Sequence, residues 1–116
     1  MEEINQLRDV IERILQEHAE FYRAANTQHS DENMVEVVFD RERDHYVLFN
    51  IAWEGYERTY YPAIHLDIIN SKIWIQKDST EEGVATDLEK YGVPKDKIVL
   101  AFKSPALRKY TEYAVA

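Results

Sequence analysis

Side chains suited to burial recur at steps of three and four near the start of the chain: Ile4, Leu7, Ile11, Ile14, Leu15, His18 and Tyr22. That period winds one stripe along a helix, so residues 2–24 read as an amphipathic helix whose other face is charged. The segment NTQHSDEN, 26–33, is rich in turn formers and lacks apolar residues, and reads as a loop. Beyond it the period falls to two. Val35, Val37 and Phe39 alternate with Glu36 and Val38, DRERDH turns the chain, and Val47, Phe49, Ile51 and Trp53 alternate with Leu48, Asn50 and Ala52. These are two strands in succession. Glu54-Gly55 supplies the next reversal, followed by an extended run from Tyr56 to Ile69. Within it Pro62 has no N–H to give a ladder and marks an edge or bulge position. Asn70-Ser71 is the third reversal and KIWIQKD the fourth strand.

Helix chemistry follows. Ser79 or Thr80 can cap a helix, Glu81 and Glu82 suit the positive end of its dipole, Gly83 weakens the first turn, and Gly92 supplies the left-handed stop. Ile98 to Phe102 form a short apolar strand, and Ser104 with Pro105 opens a terminal helix. The order predicts a single α+β domain over 1–116. It comprises an N-terminal helix, a four-stranded mainly antiparallel sheet, then a helix, a short strand and a C-terminal helix, with helices covering one sheet face.

A two-residue loop at Asn70-Ser71 fixes a register. It pairs Ile69 with Lys72, Ile68 with Ile73, Asp67 with Trp74, Leu66 with Ile75 and His65 with Gln76. Opposed residues share a face. One face therefore collects Ile64, Leu66, Ile68, Ile73 and Ile75, which must be core, and the other His65, Asp67, Trp74 and Gln76. A catalytic or metal site there needs further ligands, or a base with its orienting partner. The preferred reading is a contact surface anchored by Trp74, because a large aromatic on a polar face is costly to leave wet. Another protein, another subunit or the terminal helix would each serve as cover.

Composition narrows the function classes. With 116 residues the chain fits one domain with a real core, and 45% hydrophobic content argues against disorder. The absence of cysteine removes disulfides, thiolate metal sites and a Cys nucleophile. No apolar run approaches membrane-spanning length and the N-terminus is too charged for a secretory leader, so a cytoplasmic location is expected. A net charge of −8 argues against independent DNA binding. Charge is unevenly placed, however: residues 90–116 hold six Lys/Arg against two Asp/Glu. That basic end reads as solvated charge first and as a dock for an acidic partner second. Arg108 lies in it and completes the interface candidates His65, Asp67, Trp74 and Gln76.

Other chemistry is sparse. Gly-rich phosphate loops, zinc spacings and hydrolase elbows are missing. His18 reads as a packed, hydrogen-bonded helix residue, while His29 and His45 have no evident cluster. Asp40 and Asp44 in DRERD read as turn chemistry with local ion pairs rather than a cation site. Arg58, Tyr60 and Tyr61 in RTYYP have the ingredients to stack on bases, but core and cross-strand packing is the default. The main enzymatic alternative is a metal-dependent nuclease or hydrolase using His65, Asp67 and Asp78. A DNA-binding subunit acting through the basic C-terminal stretch is a third reading.

Ordered blocks carry a more specific signal. HLDII (65–69), KIWIQKDSTEEG (72–83), GVPKDKIVLAF (92–102) and RKYTEYAVA (108–116), supported by DHYVLFNIAW (44–53), closely resemble the XisI-like family. These are the fdxN-element excision controlling factors of filamentous photosynthetic bacteria. The resemblance runs from the first helix to the last residue. It implies a small α+β protein doing accessory rather than catalytic work in excision of a DNA element. It implies work alongside a separate recombinase and a second accessory protein, XisH, which looks like a restriction-endonuclease-type fold. The expectation is thus an XisH-like partner, a possible homo-oligomer, DNA contacted only indirectly or within a complex, and no catalytic residue, cofactor or metal.

Overall fold

The computed structural model describes residues 2–25 and 34–116, so the loop expected at 26–33, with His29, lies outside the described residues. Helix α1 spans Glu2–Ala25, and its predicted stripe is buried at Leu7, Ile11, Ile14 and Leu15, with Ala19 buried beside them. Strands β1 (Met34–Asp40), β2 (His45–Glu54), β3 (Glu57–Ile69) and β4 (Lys72–Asp78) form the expected antiparallel meander. Helix α2 (Val84–Lys90) and a single 3-10 turn (Lys95–Lys97) then lead to β5 (Ile98–Leu100). β5 joins β4 in parallel, making a five-stranded mixed sheet in sequence order.

Turn chemistry sets the meander. Asn70 and Ser71 both take positive φ, 52° and 62°, the paired left-handed geometry of a two-residue hairpin matched to strand twist. At the β2–β3 turn the loop is Gly55-Tyr56 rather than Glu54-Gly55. Glu54 pairs with Glu57, and Gly55 takes the left-handed φ of 63° that glycine adopts without a Cβ penalty.

Two register breaks matter for the site. The β2–β3 ladder shifts between Leu48 and Phe49, leaving Ala63 as the extra residue beside Pro62. Pro62 therefore marks a bulge in the central strand, one of the two roles its sequence position allowed. The β3–β4 ladder shifts between His65 and Leu66, so His65 faces Lys77 and Gln76 becomes the extra residue. The predicted pairing of His65 with Gln76 is corrected accordingly; the four pairs nearer the turn stand as predicted.

The aliphatic face is core. Ile64, Leu66, Ile73 and Ile75 are fully buried, Ile68 nearly so, and Tyr46 and Leu48 join them from β2. α1 and α2 cover this face, α2 through Val84, Ala85 and Leu88. His18 Nε2 meets Asp87 Oδ2 at 2.7 Å and ties the two helices together, as a packed, hydrogen-bonded histidine.

The C-terminal helix is shorter than the pattern suggested. α3 spans Pro105–Arg108 and stops, because the chain turns to bridge Ala114 to Val99 in parallel, with Ala114 N–H donating to Ile98 O at 2.8 Å. Thr111 Oγ1 donates back to Arg108 O at 2.7 Å and holds that turn. Pairing with the sheet's outer edge satisfies backbone groups of β5 that would otherwise be left to water.

Candidate functional site

The opposite sheet face gathers the predicted polar residues around one carboxylate. Asp67 is 6% exposed, a buried charge that must be paired. Its Oδ1 lies 2.7 Å from His45 Nδ1 and 2.8 Å from His65 Nε2, and Gln76 Nε2 donates to its Oδ2 at 3.2 Å. A carboxylate oxygen accepts, so both facing ring nitrogens donate. The bond to Asp67 raises the His45 pKa above the usual imidazole value, against a smaller lowering by burial.

His45 is the member the sequence reading missed. It sits directly across the ladder from Asp67, and the bulge at Ala63 puts it there. Counting back from the Glu54–Glu57 pair without that extra residue would set His45 opposite Leu66, on the core face.

Asp78 does not join them. Its Oδ1 accepts from Thr80 N–H at 2.9 Å and Thr80 Oγ1 at 2.6 Å, and its Oδ2 from Val84 N–H at 2.7 Å. This carboxylate thus starts α2, the work expected of Ser79 or Thr80, and Gly83 is the N-cap residue. The trio of His65, Asp67 and Asp78 imagined for a hydrolase is not assembled.

Trp74, opposite Asp67, is half-buried. Arg108 lies over its ring, guanidinium carbon 5.3 Å from the centroid, and the segment after β5 covers that part of the face. Arg108 also donates to Ala101 O at 3.2 Å and Lys103 O at 3.1 Å, so it clasps the chain end while stacking on the indole. Among the described residues Trp74 Nε1 is the buried side-chain donor with no hydrogen-bond partner. Of the covers foreseen for Trp74, the C-terminal segment is the one within this chain. His65 and exposed Lys77 pair further along the same ladder, and Gln76 reaches Asp67 beside them.

The other motifs resolve locally. Asp40 Oδ1 accepts from the backbone N–H groups of Glu42 and Arg43, and the Arg43 backbone bond leads in holding Asp40 below the usual carboxylate range. Asp44 receives Arg8 Nε at 2.8 Å and the buried Tyr46 hydroxyl at 2.9 Å. Arg58 stacks on Tyr60 and Trp53 at 5.5 and 5.9 Å, cross-strand packing at an exposed hairpin end rather than core. In the basic segment, Lys95 pairs with Glu112 at 3.1 Å and Lys97 with Glu3 at 3.6 Å.

Asp44 gives a stability prediction. Asp44→Ala strands the Tyr46 hydroxyl and is expected to cost about 1–3 kcal/mol in urea unfolding at neutral pH. Arg8's hydrogen bond holds the Asp44 pKa below its ordinary value. Its ionic contribution is therefore present above a pH of about 3.9 and lost as pH falls through the lowered native value. The gap between wild type and variant should narrow in acid; a constant gap would remove the ion pair from the account.

The fold as a whole has relatives. The XisI protein family matches residues 1–115. The chain belongs to the XisI family. A XisI-like protein from Anabaena variabilis has a crystal structure with a TM-score of 0.85, 33% identity, and coverage of 97% of this chain and 99% of that one. A second crystal structure from Anabaena variabilis, of the fdxN element excision controlling factor XisI, gives 0.81 and 30%, covering 98% and 99%. None of the curated proteins compared matches the chain. Among the described residues, no helix of this XisI-family chain is long and apolar enough to cross a membrane.

Proposed function

We propose that this XisI-family protein is a non-enzymatic controlling factor in the excision of a DNA element, acting in the cytoplasm through association with an XisH-like partner of endonuclease-type fold. The observation that carries this reading is the full-length likeness, at 30% identity, to a protein known as the fdxN element excision controlling factor XisI. The net charge of −8 supports a protein partner over direct contact with DNA, which would then be met only within the complex.

The docking face in this proposal is the sheet surface of His65, Asp67, Trp74, Gln76 and Arg108. Three features support it. Trp74 offers a half-buried aromatic, Gln76 and His65 offer polar groups beside it, and Lys77, opposite His65, adds exposed positive charge for an acidic partner.

The test is co-purification of the chain with an XisH-like protein, followed by titration of the purified pair. Binding in the micromolar range or tighter is expected. Lys77→Glu, on an exposed side chain, should weaken it about tenfold or more without moving the melting temperature. Failure of the wild-type pair to associate sinks the partner reading. Unaltered affinity in Lys77→Glu moves the interface off this face.

A further inference from the structure

We propose that His45, His65 and Asp67 form a binding site for a divalent transition-metal ion of the zinc class. One ligand atom from each of the three residues lies within 4.8 Å of the others. They converge without strain: His65 and Asp67 stand two apart on β3 and share a face, while His45 on β2 is the direct ladder partner of Asp67. The imidazole rings meet edge to face at 70°, so both nitrogens aim at the same carboxylate oxygen.

The present contacts of 2.7 and 2.8 Å are hydrogen bonds. An ion held about 2.0–2.2 Å from each ligand atom would need those separations to open to about 3.3 Å in a tetrahedral arrangement. Side-chain rotation of the exposed His45 opens the first separation, and a smaller rotation of the partly exposed His65 opens the second. Each neutral imidazole then shifts its proton to the remote nitrogen and presents a lone pair.

The donor set selects the ion. Two imidazoles and one carboxylate suit zinc, cobalt, nickel or iron, whereas magnesium and calcium favour all-oxygen shells. Gln76 adds a supporting layer, since its amide donates to Asp67 Oδ2 and fixes the carboxylate's orientation. The fourth position faces outward: the His45 side chain is 54% exposed and that of His65 31%, against 8% for Asp67. That position is open to water or to a ligand from a docked protein. The bulge at Ala63 brings His45 to the cluster and the supporting Gln76 stands at the second bulge, which ties the site to the backbone rather than to flexible loops. The site rests on this geometry alone and stands or falls separately from the excision role.

Zinc and cobalt(II) are the probes, titrated into the untagged full chain by calorimetry and by visible absorption. One equivalent of zinc is expected at micromolar affinity or better, and cobalt should give the intense visible bands of a four-coordinate site. His45→Ala lies at a solvent-facing strand start and will fold, which circular dichroism verifies; it should abolish the cobalt bands. Gln76→Ala should weaken zinc about 10–100-fold. His18→Ala, at the His18–Asp87 pair away from this face, should leave binding unchanged. No binding by the wild type overturns the proposal and leaves a hydrogen-bonded carboxylate only. Binding that survives His45→Ala, or that disappears with His18→Ala, also overturns it by placing the ion elsewhere.

Discussion

Replacing Ile75 with alanine is expected to cost about 2–5 kcal/mol, measured as a lower midpoint in urea or guanidinium unfolding. Ile75 is fully buried and sits between Leu66 of β3 and Leu100 of β5, with the helices above it. Truncation removes three carbon atoms from a close-packed layer held by strands on both sides. The site cannot collapse cheaply, so the cavity term adds to the lost transfer free energy. Lys77, two positions on, is exposed, and Lys77→Ala should change stability by no more than about 0.5 kcal/mol. Equal effects at the two positions would contradict the division of β4 into a core face and a contact face.

That division was legible because it is local. Asn70-Ser71 demands a two-residue turn, the turn fixes the first four pairs, and alternation assigns their faces without knowledge of anything distant. α1 was legible for the same reason: a helical stripe needs only its own period. The N-cap chemistry of α2 was displaced by a residue six positions upstream, Asp78, whose reach depends on how β4 ends.

The centre of the site was harder to see. Bulges shift a ladder by one residue, and one residue exchanges the two faces. Ala63 carries no mark of its own, yet it decides that His45 meets Asp67 rather than the core. Pro62 was the available signal. Because it cannot donate to the ladder, an edge or bulge position followed from the chain chemistry; the bulge's consequence at His45, seventeen positions upstream, did not follow without a fixed count at the Gly55-Tyr56 turn. The brevity of α3 has a similar origin. Ser104 and Pro105 do open a helix, but the edge of β5 competes for the following backbone, and that edge is defined by a parallel pairing remote in sequence. Arg108 is the residue where these outcomes meet, since it ends the helix, clasps two carbonyls and lies over Trp74.

Trp74→Ala is expected to lower stability by about 2–3 kcal/mol while leaving the sheet folded. Loss of a half-buried indole accounts for most of this, and loss of the Arg108 contact for about 0.5–1 kcal/mol. The variant also removes a buried N–H that has no partner, which offsets part of the loss. The damage should be directional. Trp74 joins the sheet to the chain end, so amide exchange is expected to accelerate at Ala114, whose N–H donates to Ile98 O, while exchange in β2 and β3 stays near wild type. Association with the XisH-like partner should weaken as well, because the docking face loses its aromatic anchor and the Arg108 position that depends on it. Collapse of protection throughout the sheet would make Trp74 part of the fold's core and remove it from the contact surface. Unchanged exchange at Ala114 would show that the clasp by Arg108 holds the C-terminal segment without the indole beneath it.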